Sequence, residues 1–102
     1  MTLGKRKHCT SMAEVRAEID ALDRGIVGLL ADRLHYIEEA ARIKRSRDQV
    51  RDEARIADVL KKVEAEARRI GANASVLVET YRTLIEASIA YELEQFDRRL
   101  TQ

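Results

Sequence analysis

The sequence contains no proline and no tryptophan, one cysteine, and only three tyrosines and one phenylalanine in 102 residues. Without proline, nothing in the chain obliges a helix to break from within. With one thiol, Cys9, an intrachain disulfide and a cysteine-built metal centre are both excluded, and Cys9 reads as a free thiol in an N-terminal tail. So few aromatics leave most large contacts to aliphatic side chains. No run of eighteen apolar residues occurs, and no signal-peptide core precedes the first polar stretch, so a cytoplasmic protein with no membrane partner is expected. Charge of one sign is also lacking. Nineteen Lys and Arg stand against eighteen Asp and Glu, without the basic excess of a nucleic-acid binder. No Ser-His-Asp set, His cluster or glycine-rich phosphate loop is present. His8 falls in the tail, and His35 reads as a surface or packing residue.

What the chain has in quantity is Ala, Leu, Glu, Arg and Ile, a composition that favours helices throughout. The stretch from Ser11 to Lys44 organises the rest. Met12, Val15, Ile19, Leu22, Ile26, Leu29, Leu30, Leu34, Ile37 and Ile43 recur at three-and-four spacing, which makes one apolar stripe. Ser11-x-x-Glu14 has the form of a capping box and marks the start. Gly25 and Gly28 weaken the helix by roughly 1 kcal/mol each and would permit close approach of another helix. Such a helix is about 50 Å long, whereas a compact monomer of this size has a radius of gyration of about 13 Å. A partner chain is the simplest cover for the overhanging apolar residues, so a symmetric homodimer is expected.

A second stripe, Ile56, Val59, Leu60, Val63, Ala67 and Ile70, ends at Gly71 and predicts a helix over about Arg51 to Ile70. Asn73 and Ser75 are both candidate caps for a third helix. Its stripe runs through Leu77, Val78, Tyr81, Leu84, Ile85, Ile89, Leu93, Phe96 and Leu100. There is no strand pattern and no internal repeat. The expected fold is therefore all-α: a tail over 1–10, then one domain over 11–102 with long, medium and long helices, paired as an intertwined homodimer.

Polar residues on apolar faces are the candidates for function. Arg33 follows Leu30 by three residues and precedes Ile37 by four. Lys44 lies eleven residues, about three turns, beyond Arg33 and projects from nearly the same face. Ser88 and Glu92 sit one turn apart between Leu84 and Phe96, and Arg55 stands beside the first apolar residue of helix two. Unpaired buried charge is costly, so these groups must pair, reach water or meet a ligand. Arg33 and Lys44 could snorkel from a helix edge, with Glu92 as a counter-ion. The rival arrangement is an anion pocket of Arg33, Lys44 and Arg55, suited to a small di-acid because Arg grips carboxylate bidentately.

These positions resemble the all-helical chorismate mutase family, the small intertwined-dimer type, over about residues 9 to 100. VRAEIDALDRGIVGLLADRLHYIEEAARIK is similar to that family's R-x-x-I-D-x-L-D, then L-L-x-x-R, then K. Arg16, Arg33 and Lys44 match its two arginines and lysine. R-D-E-A-R at 51–55 is similar to the segment opening its second helix, with Asp52 and Arg55 in the matching places. Ser88 and Glu92 match its third-helix serine and the downstream amide or acid. The resemblance implies conversion of chorismate to prephenate, a rearrangement within one molecule that requires no cofactor and no metal, on the shikimate route to aromatic amino acids. It implies that Arg16 binds one carboxylate from the other protomer and that Arg33 binds carboxylate in the main pocket, assisted by Arg55. Lys44 is implied to contact the ether oxygen and a carboxylate. Asp52 is implied to receive the substrate hydroxyl or orient its neighbours.

Two positions depart from the family. Ile56 occupies the place where many members have Glu, so a hydroxyl partner is missing there. Glu92 stands where many bacterial members have Gln. An ionised Glu92 would oppose negative charge at the ether oxygen, whereas the neutral acid donates as Gln does. Burial is expected to favour the neutral form, so that activity rises as pH falls. The alternative is a Glu92 that stays ionised against Lys44 or an arginine. Isochorismate-pyruvate lyases resemble the chain too, through H-C-T-x-x-x-x-V-R, Ile56 and the short first connection. A mutase acting on an amino-substituted chorismate and a non-catalytic helical interaction module complete the alternatives.

Overall fold

A computed structural model of the chain describes residues 6–101. It is all-α, with helix α1 over Met12–Ile43, α2 over Glu53–Arg69 and α3 over Ala74–Leu100, and a short 3-10 turn at Arg47–Gln49 between α1 and α2. No strand occurs among the described residues.

Each helix end has an identifiable cause. The Glu14 amide donates to Ser11 Oγ at 3.2 Å, while the Glu14 carboxylate turns back to Thr10, accepting from its hydroxyl at 3.0 Å and its amide at 3.4 Å. The return arm of the box thus reaches one residue earlier than the sequence pattern implies. Asp52, with extended φ −128° and ψ 101°, caps α2 by accepting from the Arg55 amide at 3.0 Å. That cap starts α2 at Glu53 rather than Arg51. Gly71 closes α2 at φ 74°. The Gly71 amide donates to Arg68 O and the Ala72 amide to Ala67 O, at 3.2 and 2.8 Å, the double bond of a Schellman ending. Of the two candidate caps for α3, Asn73 is the one used: its Oδ1 accepts from the Val76 amide at 3.0 Å.

The chain divides after His35 into two units. In the first, Val15, Leu30, Arg33 and Leu34 are half-buried. Met12, Ile19, Leu22, Ile26 and Leu29 stand between 47 and 60% exposed, so much of the predicted stripe faces outward in the single chain. A Cβ added at Gly28 would meet nothing within 4 Å among the described residues, so no close approach inside the chain requires this glycine.

The second unit holds the core. α2 packs on α3, and Ala41, Val50 and Phe96 form a buried cluster backed by Ile89 and Leu93. The last turns of α1, the 3-10 turn and α3 thus meet at one place. Polar ties fix the α1–α2 connection onto α3: Arg47 to Asp97 at 3.0 Å and Arg51 to Glu86 through two bonds at 3.0 and 2.9 Å. Gln49 Oε1 accepts the amides of Arg45 and Ser46 at 2.9 and 3.2 Å, which folds the connection on itself. Lys44 emerges where these ties converge.

Candidate active site

Lys44 is the first residue past α1, and its amide still completes the helix by donating to Ala40 O at 2.9 Å. Its ammonium donates to Glu92 Oε2 at 2.6 Å and to the Val50 carbonyl at 3.3 Å. The Lys44 side chain is 28% exposed and that of Glu92 6%. The carboxylate is therefore inside the fold and the ammonium at its edge. A carboxylate this buried needs a cation, since an unpaired one costs several kcal/mol even after relaxation (about 3–5 when a partner is removed). The geometry is the paired arrangement: Glu92 serves as counter-ion to Lys44.

Ser88, one turn before Glu92 on α3, is also buried, and its hydroxyl donates to the Leu84 carbonyl at 2.7 Å. Buried Ser88 and Glu92 interrupt the apolar face at Ile85 and Phe96, where the sequence pattern put them. Asp52 lies across the connection. Its Oδ1 is committed to capping α2, and with Lys44, Arg45 and Arg51 it lines an open depression on the surface. Lys44, Glu92, Ser88 and Asp52 therefore all belong to the second unit, and the Lys44–Glu92 contact is direct.

Arg55 stands apart from this group. It is exposed and donates to Asp58 at 2.7 Å. The Asp58 carboxyl is held below its usual range first by Lys62, at 3.0 Å, and then by Arg55. Ile56 is half-buried on α2. Arg16 and Arg33 belong to the first unit, Arg16 exposed and Arg33 half-buried. His8 and His35 are exposed, and no group of three or more metal-ligating side chains occurs among the described residues.

Charge around the connection is tightly matched. The Arg51 guanidinium holds the Glu86 carboxyl below its usual range. Glu86 and then Glu53 in turn raise the Arg51 guanidinium. On the α1–α3 side, the Tyr91 hydroxyl donates to Glu38, and that bond pushes the phenol up.

Two features of the site escaped the sequence pattern. One is the Val50 carbonyl as an acceptor for Lys44, which no side-chain pattern can signal. The other is Arg99, which donates to the carbonyls of Ala41 and Arg42 at 3.1 and 2.5 Å. Its spacing from Glu92, seven residues along α3, was the available clue.

A lysine ammonium at the rim, backed by a buried acid, can hold an anionic oxygen and stabilise charge that builds there. Comparison with known proteins relates the chain to one family. Residues 15–93 match the chorismate mutase type II family. Over 86 residues the chain is 29% identical to an isochorismate pyruvate lyase of Pseudomonas aeruginosa, a match covering 84% of this chain and 85% of that protein.

Proposed function

The chain belongs to the chorismate mutase type II family, and on that footing we propose that it converts chorismate to prephenate as a homodimer with shared active sites. The family makes it an enzyme of the chorismate mutase or isochorismate pyruvate lyase kind. The observation that carries an active site at this place is the Lys44–Glu92 pair, with Lys44 at the rim and Glu92 buried behind it on α3.

The reaction breaks the ether C–O bond and forms a C–C bond in one molecule, so no group enters or leaves. The protein has two tasks. It holds the substrate in its folded, reactive shape, and it offers positive charge where the ether oxygen gains negative charge. Lys44 supplies that charge. In the unliganded chain its ammonium is held by Glu92 and Val50 O, and in the complex it turns one donor to the ether oxygen and a substrate carboxylate. Arg33 binds a substrate carboxylate, with Arg55 assisting once it leaves Asp58. Arg16 of the second chain binds the other carboxylate. The Asp52 oxygen not used in the α2 cap accepts from the substrate hydroxyl. Glu92, paired with Lys44, holds the ammonium in place for the ether oxygen.

Elimination of pyruvate from isochorismate is the second reading. It is favoured by the 29% identical lyase and by Ile56, which leaves no acid at that place on α2. Both reactions ask the same lysine to stabilise the same leaving oxygen, so the site chemistry is shared and the substrate differs. Assays of the purified protein with chorismate and with isochorismate, products separated by chromatography, test the choice. Prephenate as the dominant product is expected. Salicylate and pyruvate with little prephenate would move the protein to the lyase branch. No turnover of either would direct the assay to an amino-substituted chorismate, and failure there would leave the interaction-module reading.

A further inference from the structure

Lys44 has an unusual root for a residue asked to place a charge within a fraction of an ångström. It sits one residue beyond the last turn of α1, and helix ends fray because their last four carbonyls lack intrahelical donors. Here the carbonyls in question are those of residues 40–43. The Lys44 amide takes Ala40. Arg99 takes the next two: its Nη1 donates to Ala41 O at 3.1 Å and to Arg42 O at 2.5 Å. The guanidinium carbon lies 4.5 Å from the centre of the Phe96 ring, and Phe96 is packed in the buried cluster with Ala41 and Val50.

One face of α3 therefore addresses the end of α1 three times. Glu92 holds the Lys44 ammonium, Phe96 packs the backbone turn beneath it, and Arg99 binds the terminal carbonyls. The spacings of four and three residues put all three on adjacent turns of that face. A cation at a helix C-terminus also offsets the negative end of the helix dipole. The guanidinium is flat and charged, and it is held against a ring that is itself fixed, so little freedom is left to it.

We propose that Arg99 is a positioning residue for Lys44: by binding the α1 terminal carbonyls it fixes the root of the lysine that acts on the breaking bond. The proposal rests on the reaction assigned above. Arg99 itself touches backbone and the Phe96 ring, and its effect on the reaction passes through Lys44 alone.

The test uses Arg99→Met, which keeps volume over Phe96 and removes the donors, and Arg99→Lys, which keeps a charge and a donor. Turnover is measured for each in the wild-type and Lys44→Ala backgrounds, with backbone amide exchange at Lys44 and Arg45 followed in the unliganded protein. Misplacement of a catalytic group by about 1 Å costs up to about a hundredfold. Arg99→Met is therefore expected to lower kcat by about tenfold or more, with a smaller change in KM and faster exchange at Lys44. Arg99→Lys should regain a substantial part of both. In the Lys44→Ala background, Arg99→Met should lower kcat no further. A full additional loss there would overturn the proposal, because Arg99 would then act elsewhere. Unchanged exchange at Lys44 in Arg99→Met would overturn it too, whatever the activity. Faster exchange in a protein whose wild type turns over no substrate would overturn the assigned reaction and leave the clamp on α1 standing.

Discussion

Lys44 has a structural task and a proposed catalytic one, which substitution can separate. Lys44→Ala removes the charge proposed to face the leaving oxygen, and loss of one such group costs about 10²–10³ in kcat. It also leaves Glu92 buried without its cation. Lys44→Ala should therefore melt at lower temperature as well as lose turnover. Replacing both partners, Lys44→Met with Glu92→Leu, removes the orphaned charge and should restore most of the melting temperature with no recovery of turnover. A double variant as unstable as the single one would mean that the pair is not what holds this junction. Glu92→Gln keeps the shape and a hydrogen-bonding partner for Lys44 and strands no buried carboxylate, so it should lower the melting temperature less than Lys44→Ala does. Equal losses in the two variants would mean that the buried carboxylate is not what makes removal of the lysine costly.

The helices were largely legible in the sequence because their causes are local. Apolar stripes, Ser11, Asn73 and Gly71 are readable without knowing any partner. The sequence pattern starts α2 two residues early because Arg51 continues the helical charge pattern, whereas the Asp52 cap sets the first turn at Glu53. Lys44 and Glu92 were legible as misfits on apolar faces, but the choice between a neutral and a paired Glu92 needed the 2.6 Å contact. Arg99 reads in the sequence as an ordinary basic residue near a helix end, and only the meeting of α3 with α1 gives it a task. The Arg51–Glu86 tie has a defined pH signature. Because Arg51 holds the folded Glu86 carboxyl below its ordinary value, the tie stabilises fully above the ordinary carboxylate range. That contribution is lost as pH falls through the lowered folded value. The melting temperatures of wild type and Glu86→Gln should therefore differ at neutral pH and converge in acid. A gap that persists in strong acid would assign the stabilisation to something other than the ion pair.

In the proposed dimer the α1 stripe would connect stability to catalysis for the molecule as a whole. Ile19, Leu22, Ile26 and Leu29 are each about half or more exposed in the single chain. Apolar area of that extent, left in water, forfeits roughly 25 cal/mol per Å² that burial would return. A second copy that covers the stripe would bring its own Arg16 along the same helix, and the proposed site needs that arginine. Leu22→Lys should thus yield monomer at micromolar concentration by sedimentation, together with loss of turnover. A complementation experiment checks the sharing without disturbing the interface. Arg16→Ala and Lys44→Ala chains should each be nearly inactive alone. Unfolded together and refolded at equal concentration, half the dimers contain one chain of each kind. Each such dimer has one site with a native Lys44 facing a native Arg16 from the other chain, and one site lacking both. Roughly a quarter of wild-type turnover should return if the two-fold pairing is random. If Arg16 and Lys44 served the same chain's site, every site in the mixture would lack one of them, and mixing would recover nothing.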